Sequence, residues 1–301
     1  MSTRPSGERL SGTSVPDRLI SACEERRDAI VDVIRGARRT IALSLFRGND
    51  KTIFEELAAA VARGVAVDVL VTSRAKGGRK KVEKLWRALE ATGASVHAYT
   101  DPVVKYHAKY LVADDGPSIV ASLNFTKKCF GKTWDALVVT HDPEVAAGLK
   151  QLMVADRDAA PIPADLSPRL IVGPERARAQ LTALVASATR SIRLIDAKVS
   201  DPDLIDMLKR RRAEGIAVEI YGAKRIGELK SHGKIMLVDE STAIVGSLAL
   251  AALSLDFRRE VAIAVTDPQA LSEAVQLFTV VDAARRAGEA ATSNTTSEAP
   301  C

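Results

Sequence analysis

Residues 104–126, VKYHAKYLVADDGPSIVASLNFT, carry three reactive side chains in a short, fixed spacing. His107, Lys109 and Asp114 form the pattern H-x-K-x4-D at the start of an apolar run. One occurrence of so short a motif is weak evidence, because a histidine beside apolar residues is also typical of a hydrogen-bonded core position.

The motif occurs a second time in residues 230–250, KSHGKIMLVDESTAIVGSLAL, where His232, Lys234 and Asp239 form it. Each copy opens an apolar run, and each is followed at the same interval by a small residue and a serine, Ala121-Ser122 and Gly246-Ser247. Two copies in matching surroundings favour a functional role over a chance match.

The composition indicates a globular protein with a sizeable core. The chain has 301 residues, of which 47% are hydrophobic, enough for one large or two ordinary domains. Lys and Arg number 43 against 38 Asp and Glu, and the net charge of +5 indicates a mild preference for anionic partners. Charge alone does not separate nucleic acid from acidic lipid.

Cysteine usage and apolar patterning indicate the compartment. Cys23, Cys129 and Cys301 show neither a C-x-x-C nor a Cys/His metal spacing, and their odd number argues against a disulfide framework. The sequence shows no signal-peptide pattern and no uncharged apolar window of about 18 residues. We therefore expect a soluble, cytoplasmic protein.

The chain divides into two halves. A proline-rich segment, residues 157–168, predicts a linker between a first half (17–156) and a second half (169–286). Both ends, residues 1–16 and 287–301, have few large apolar side chains and are predicted to be disordered.

The two halves resemble each other beyond the motif. GARRTIALSL (36–45) resembles SATRSIRLID (187–196), and RGVAVDVLV (63–71) resembles EGIAVEIYG (214–222). These segments are 151 residues apart, whereas the two motif histidines are 125 apart, so the second half is 26 residues shorter between them. The missing part corresponds to a helix and strand around residues 78–103.

The patterns predict an α/β fold. Residues 40–46 and 65–72 read as strands, residues 51–63 as a helix, and residues 17–39 as a long or broken helix. We predict two similar α/β halves with mainly parallel mixed sheets flanked by helices. Equivalent motif residues can then face each other across a pseudo-twofold axis and form one shared active site.

The motif residues suit phosphate chemistry. On a strand, residues i and i+2 point to one face, so each histidine is expected to project beside its lysine. Cations neutralise phosphate oxygens, and Ser122, Asn124 and Ser247 are candidate donors that fix its orientation. With two histidines in one site, one has to be neutral to attack phosphorus and the other protonated to serve the leaving oxygen.

Four acidic residues are predicted to support the histidines. Asp135 and Glu260 each lie 28 residues after a motif histidine, and a carboxylate bonded to the far ring nitrogen would fix its tautomer. For Asp114 and Asp239, capping of a turn through backbone N–H groups is as reasonable as direct chemistry.

YHAKYLVAD with SLNFT, and SHGKIMLVD with GSLAL, resemble the two HKD motifs of the phospholipase D superfamily. The likeness extends over most of residues 28–266 and is strongest for the bacterial cardiolipin synthase branch. It implies a phosphodiesterase that forms a covalent phosphohistidine and passes the phosphoryl group to water or an alcohol, with no metal or other cofactor. It also implies a nucleophile and a general acid, which we assign by analogy to His107 and His232. Because one chain holds both motifs, we expect a monomer.

The sequence departs from the family pattern at two positions. Ala121 stands where glycine is usual, a small change for the backbone. Ala249 stands where the second motif usually has asparagine, which removes one amide donor and about 1 to 3 kcal/mol of transition-state stabilisation.

Three substrates or roles compete. A phospholipid is preferred, with peripheral contact to an anionic membrane, because residues 125–134, FTKKCFGKTW, mix lysines with large aromatics. A metal-independent endonuclease is the alternative, because residues 73–81, SRAKGGRKK, could follow a phosphate backbone of DNA or RNA. A non-catalytic phosphate-binding remnant, suggested by Ala249, ranks last.

Overall fold

Strands and helices alternate along both halves, and the computed structural model describes residues 15–74 and 79–296, with side chains through residue 286. The first-half strands are β1 (Arg18–Ile20), β2 (Thr40–Leu45), β3 (Ala66–Thr72), β4 (Ser95–Tyr99), β5 (Lys105–Tyr106), β6 (Tyr110–Ala113), β7 (Ser118–Ala121), β8 (Thr133–Trp134) and β9 (Leu137–Thr140). Its helices are α1 (Cys23–Gly36), α2 (Lys51–Ala62), α3 (Arg79–Glu90), α4 (Lys127–Gly131) and α5 (Pro143–Arg157).

The second half repeats this order with fewer elements. Its strands are β10 (Leu170–Gly173), β11 (Ser191–Ile195), β12 (Ala217–Tyr221), β13 (Arg225–Ile226), β14 (Leu229–Ser231), β15 (Ile235–Val238), β16 (Thr242–Gly246) and β17 (Arg258–Val265). Its helices are α6 (Ala177–Ser187), α7 (Pro202–Ala213), α8 (Ala252–Asp256) and α9 (Pro268–Thr296). The predicted duplication is therefore visible, and α3 with β4 is the part that the second half replaces by the small β13–β14 hairpin.

Each half is built on one mixed sheet, as predicted, but antiparallel pairs outnumber parallel ones. The first sheet has the order β1-β9-β7-β6-β2-β3-β4, in which the β2–β3 and β3–β4 pairs are parallel and the others antiparallel. The second has the order β10-β17-β16-β15-β11-β12, in which β11–β12 is the parallel pair. The prediction of mainly parallel sheets is wrong because tight turns join the strands that follow each motif, and a tight turn can connect only antiparallel neighbours.

The predictions for the chain ends need correction. The helix predicted over residues 17–39 begins only at Cys23, because Arg18–Ile20 pairs with β9 as β1. In the predicted disordered tail, residues 287–296 continue α9, because extending an existing helix adds a hydrogen bond for each residue that is fixed. Residues 1–14 of the predicted disordered N-terminus lie outside the described residues.

The two sheets face each other, with β7 and β9 of the first against β16 and β17 of the second, and helices α5 and α9 pack into the same layer. One apolar cluster fills this central layer with residues of both halves, among them Val120, Leu149, Val245 and Phe278. Two further clusters lie on the outer faces, one under α1 to α3 and the other under α6 to α8. Because both halves share the central cluster, they form one packed body in which residues of one half can reach the other.

Short strands cross from each half to the other. The first-half strand β5 pairs in parallel with the start of β17, and the second-half strand β14 pairs in parallel with β8. Both crossing strands lie directly before a motif histidine. No helix in the described residues is both long and apolar enough to cross a membrane.

Candidate active site

The two motif histidines lie at equivalent places between the halves. His107 follows β5 and His232 follows β14, each in an irregular segment before the next strand and not within a strand as predicted. The His107 backbone N–H donates to the carbonyl of Arg259 (2.9 Å), and that of His232 donates to the carbonyl of Trp134 (3.1 Å). Each histidine is thus held against the opposite half.

Each histidine is bonded to a carboxylate of the other half. Nδ1 of His107 lies 2.7 Å from Oε2 of Glu260, and Nδ1 of His232 lies 2.8 Å from Oδ1 of Asp135. The 28-residue spacing identifies the correct two acids, but each of them contacts the histidine of the opposite motif. A carboxylate on Nδ1 keeps the proton there and leaves Nε2 as the reactive nitrogen.

The Asp135 carboxylate is fully buried, and both of its oxygens accept hydrogen bonds. Its Oδ1 also accepts the Ser122 hydroxyl (2.9 Å), and its Oδ2 accepts the Thr133 hydroxyl (2.5 Å). The buried Arg26 guanidinium of α1 lies behind it, with Nη1 3.9 Å from Oδ2. Burial acts to raise the pKa of Asp135, but His232, the Thr133 hydroxyl and the charge of Lys234 hold it below its usual value.

The Glu260 carboxylate has matching support. Ser254 donates its hydroxyl to Oε1 (2.9 Å), and the Arg258 guanidinium lies 3.8 Å away. Burial alone would raise the pKa of Glu260, but the adjacent His107 and Lys109 lower it. Glu260 is therefore ionised at neutral pH, like Asp135.

The predicted phosphate contacts of Ser122 and Ser247 need correction. Both serines are completely buried. The Ser122 hydroxyl contacts Asp135 and the Ala136 N–H, and the Ser247 hydroxyl bonds the Val261 carbonyl and N–H. They point into the sheet because they continue the buried faces of β7 and β16, so their role is to position the carboxylates and their strands.

Two lysines complete the pairs. Lys109 and Lys234 are buried, and each donates Nζ to the carbonyl of its own motif histidine, at 2.7 Å for Lys234. Burial, with a contribution from the charge of Lys234, lowers the pKa of Lys109 to about 7, while Glu260 opposes the shift. The two motifs therefore converge closely enough for their charges to interact.

The histidines differ in their surroundings. The side chain of His107 is 12% exposed and packs on the ring of Phe46, with centroids 4.7 Å apart, whereas that of His232 is 27% exposed. Burial lowers the pKa of His107 to about 3 despite Glu260, with Lys109 and Lys234 adding to the effect. Burial also lowers the pKa of His232, against the opposing effect of Asp135. Of the two rings, His107 is the more strongly held neutral.

Asp114 and Asp239 lie away from the histidines and act on the backbone. Asp114 accepts the N–H groups of residues 38–40 at 2.7 to 2.9 Å, and Asp239 accepts those of residues 189–191 at 2.7 to 2.8 Å. Each therefore fixes the start of the strand that pairs with its own motif strand, β2 or β11. Of the two predicted alternatives, backbone capping is the one that the contacts support.

Asn124 is the motif side chain with unused hydrogen-bonding capacity. It is 7% exposed, and its buried Oδ1 has no hydrogen-bond partner among the described residues. Ala249 occupies the equivalent position 125 residues later, and its N–H donates to Ser254 (2.9 Å). A side-chain amide is therefore present on one side of the site and missing on the other.

One group of side chains in the described part of the chain could hold a metal ion. Ligand atoms of Cys129, Asp135 and His232 lie within 4.8 Å of one another. Sequence spacing misses this group because its members come from separate segments. Since Asp135 and His232 already bond each other, a cation would have to compete with that hydrogen bond.

Several supporting residues were not found from the sequence. Thr133 and Ser254 lie within a few residues of the acids, but at the 125-residue offset they correspond to Arg258 and Cys129, so the duplication gives no signal for them. Arg26, Phe46 and Arg259 give no sequence signal either. Arg259 is buried, binds Asp156 and Glu175, and offers its carbonyl to His107.

The two segments singled out for substrate choice have different outcomes. In FTKKCFGKTW, Phe130 and Trp134 are buried and belong to the core, while the lysines are exposed. In the basic segment 73–81, residues 75–78 lie outside the described residues.

Known proteins resemble this chain in sequence and in fold. The family model of the cardiolipin synthase PLD-like domain matches residues 30–157 and 206–281. Cardiolipin synthase A of Pseudomonas entomophila (strain L48) is 31% identical over 123 residues, a match that covers 41% of this chain and 26% of the synthase. The chain thus matches about a quarter of the length of that curated relative.

Two solved structures share the fold across both halves. Polyphosphate kinase from Porphyromonas gingivalis superposes with a TM-score of 0.70 at 18% identity, covering 88% of this chain and 50% of the kinase. Phosphatidylserine synthase from Haemophilus influenzae Rd KW20 gives a TM-score of 0.67 at 14% identity, covering 90% of this chain and 85% of the synthase. The resemblance predicted from the two motifs is confirmed, and the chain belongs to the cardiolipin synthase PLD-like domain family.

Proposed function

We propose that the protein transfers the phosphoryl group of a phosphodiester through a covalent phosphohistidine, with His107 as nucleophile and His232 as general acid. The observation that carries this proposal is the pair of crossed histidine–carboxylate hydrogen bonds, 2.7 Å at His107 and 2.8 Å at His232. In both rings Nδ1 is held by a carboxylate, so Nε2 is the reactive nitrogen of each. One Nε2 can then attack phosphorus while the other donates a proton on the opposite side.

The first step breaks one ester bond. The lone pair on Nε2 of neutral His107 attacks phosphorus, a P–N bond forms, and the P–O bond to the leaving group breaks. Protonated His232 gives its Nε2 proton to the departing oxygen, so the leaving group departs as a neutral alcohol. Glu260 stabilises the positive charge that develops on the attacking imidazole.

The second step restores the enzyme. Water or an alcohol gives a proton to the now neutral His232, and its oxygen attacks phosphorus as the P–N bond breaks. Water yields a phosphomonoester, and an alcohol yields a new phosphodiester. Both histidines then return to their starting protonation states.

The different surroundings of His107 and His232 support their assignment as nucleophile and general acid. His107 is the more buried ring and has a pKa lowered to about 3, so it is neutral at working pH, as a nucleophile has to be. Burial lowers the pKa of His232 too, but Asp135 opposes this and the ring is more exposed to solvent, so His232 is the more readily protonated of the two rings. Environments that drive two titrating groups apart are the usual basis of an acid–nucleophile pair.

The buried lysines and Asn124 are proposed to hold the phosphate. Lys109 and Lys234 bring two positive charges into a site of low dielectric, where a phosphodiester anion is stabilised more than in water. The anion in turn raises the pKa of any lysine that it contacts, so binding favours the charged form of Lys109. The Asn124 amide adds a neutral donor on the His107 side.

A phospholipid is the substrate class that we propose. The family model and the curated relative are named for cardiolipin synthase, a phospholipid enzyme. A nucleic acid phosphodiester would undergo the same chemistry, so the substrate has to be decided by assay.

The test compares two leaving groups in three proteins. His107→Ala, His232→Ala and the unaltered protein are assayed on an alkyl phosphodiester and on a 4-nitrophenyl phosphodiester, whose leaving group needs no protonation. Phospholipid micelles and plasmid DNA are tested in parallel with EDTA present. Lys51→Gln, on the exposed surface of α2, is the control variant.

We expect His107→Ala to lose activity on both esters, and His232→Ala to lose far more activity on the alkyl ester than on the nitrophenyl ester. The reverse pattern would exchange the two roles. Full activity in either variant would contradict a shared site, and cleavage of DNA with intact lipid would replace the proposed substrate.

A further inference from the structure

We propose that the opening of the site docks onto an anionic lipid bilayer through two unlike lips, one apolar and one basic. The apolar lip consists of Val103, Leu253 and Phe257, and the basic lip consists of Lys128, Lys132 and Lys230. This inference rests on the proposed function for the identity of the substrate, but binding to vesicles can be measured without any activity.

The two lips occupy equivalent places in the duplicated fold. Helices α4 and α8 are related by the same 125-residue offset as the motif histidines. At this offset Lys128 corresponds to Leu253 and Lys132 to Phe257. The same position on the rim is therefore positively charged in the first half and apolar in the second.

Hydrogen bonds place both lips beside the histidines. The Phe257 carbonyl accepts the Lys105 N–H at 3.0 Å, and the Lys132 carbonyl accepts the Lys230 N–H at 3.2 Å. Lys105 and Lys230 each lie two residues before a motif histidine. The two contacts are equivalent in the duplicated fold, so one lip lies beside each motif histidine.

The side chains of the apolar lip are exposed to water, which is unfavourable for large apolar groups. Val103 is 67% exposed, Phe257 50% and Leu253 45%, and Phe257 directly follows α8, four residues after Leu253. These are three of the seven large apolar side chains exposed in the described part of the chain. Large apolar groups gathered beside a site mark a surface that is covered in use.

The charges of the two lips favour an anionic lipid bilayer as the partner. All three side chains of the basic lip are exposed lysines, and Lys105 adds a further cation beside the apolar lip. Apolar side chains that enter the acyl boundary, with lysines level with anionic head groups, are the usual means of interfacial membrane binding. A nucleic acid would use the lysines, but Phe257 is the one aromatic face that the apolar lip offers for base stacking, and Val103 and Leu253 are aliphatic.

Docking in this way would orient the substrate. A phospholipid has an apolar part and a polar head group on either side of its phosphodiester. With the opening against the bilayer, the apolar lip would face the acyl side and the basic lip the head-group layer. The phosphodiester would then enter between the two motifs without leaving the interface.

The experiment measures co-sedimentation of the full chain with vesicles. One set of vesicles is phosphatidylcholine alone and the other contains phosphatidylglycerol in addition. Leu253→Ser/Phe257→Ser removes two apolar side chains without a change in charge, and Lys128→Gln/Lys132→Gln removes two charges. Their controls are Val280→Ser, at an exposed apolar residue on α9, and Lys51→Gln/Lys209→Gln, at exposed lysines on α2 and α7.

We expect the unaltered protein to prefer the anionic vesicles and to be released by salt. Loss of the two lysines should weaken binding to anionic vesicles roughly 30-fold, as for two cations at a membrane surface. Loss of the apolar lip should weaken binding to both kinds of vesicle at least about tenfold. The control variants should bind as the unaltered protein does.

A short-chain phosphodiester below its critical micelle concentration separates this inference from the proposed function. Lip variants should cleave this monomer at the rate of the unaltered protein and lose activity only on vesicles. Equal binding to both vesicle types, equal losses in the control variants, or DNA binding through the lysines without vesicle binding would overturn the docking proposal. Vesicle binding that depends on the lips, with no cleavage of any phosphodiester, would overturn the proposed function instead.

Discussion

Replacing the two crossed carboxylates by amides should affect the two histidines differently. Asp135→Asn and Glu260→Gln keep the size of each side chain and remove its charge. Both carboxylates are buried and each contacts a single imidazole, at 2.8 Å and 2.7 Å. The pair of substitutions therefore tests the exchange of partners between the halves.

The expected magnitude follows from the hydrogen bonds that are lost. A hydrogen bond to a charged group contributes about 1.5 to 3 kcal/mol, which corresponds to a fall of about 10- to 150-fold in kcat/KM. Asp135 raises the pKa of His232 against the effect of burial, so Asp135→Asn lowers that pKa further. A general acid works only while it is protonated, and the activity of this variant should therefore decline at a lower pH.

The assay is the pH profile of kcat/KM on a soluble phosphodiester. Asp135→Asn should move the alkaline limb to lower pH, while Glu260→Gln should lower the plateau and move that limb by less, because its partner His107 acts as the neutral form. Ser254→Ala removes the hydroxyl that bonds Glu260 and the Ala249 N–H but keeps the carboxylate; it is the control and should cause a smaller loss than Glu260→Gln. Thermal unfolding measured by circular dichroism confirms that each variant is folded.

Two results would refute this reasoning. If Glu260→Gln moved the alkaline limb and Asp135→Asn did not, the acid would be His107. If folded variants of both kinds kept the full kcat/KM, the crossed hydrogen bonds would have no part in the reaction.

Three further outcomes are expected. Asn124→Ala should lower kcat/KM about 5- to 150-fold by removing one donor to the phosphate, and an unchanged value would remove Asn124 from the site. Gly233→Ala should lower kcat in a folded protein, because a Cβ there would lie 2.8 Å from the Trp134 ring and displace His232; full activity would show that the ring yields. Three backbone N–H bonds lower the pKa of Asp239 to about 2, so its stabilisation is complete above about pH 4 and is lost as the pH falls toward 2. The free energy of unfolding in urea should therefore differ between the unaltered protein and Asp239→Asn at neutral pH, with a difference that shrinks in acid, and a constant difference would contradict this.

Local pattern was sufficient to predict most elements and the residues of the two motifs. The segments that became β2, α2 and β3 show the expected apolar periods, and their recurrence revealed the duplication. The direction of strand pairing could not be predicted from the apolar pattern, because alternation of apolar and polar residues is the same in parallel and antiparallel strands. The tight turns predicted at Asp114 and Asp239 indicate antiparallel neighbours, because a tight turn cannot join parallel strands.

The partners within the site could not be predicted from spacing. Asp135 and Glu260 were identified because they share one interval, but the interval says nothing about which histidine each of them meets. That choice depends on β5 and β14 crossing to the opposite half, and both are strands of only two or three residues. Ser122 and Ser247 were misassigned for a related reason, because whether a residue after a strand faces the opening or the sheet depends on a neighbouring strand.

The most direct test of the shared site is to find the residue that carries the phosphoryl group. A labelled phosphodiester is mixed with the protein, the reaction is quenched with alkali within the first turnover, and the peptides are mapped by mass spectrometry. The label should be on His107 of the unaltered protein and absent from His107→Ala. Label on His232, or turnover without any labelled histidine, would contradict the proposed mechanism.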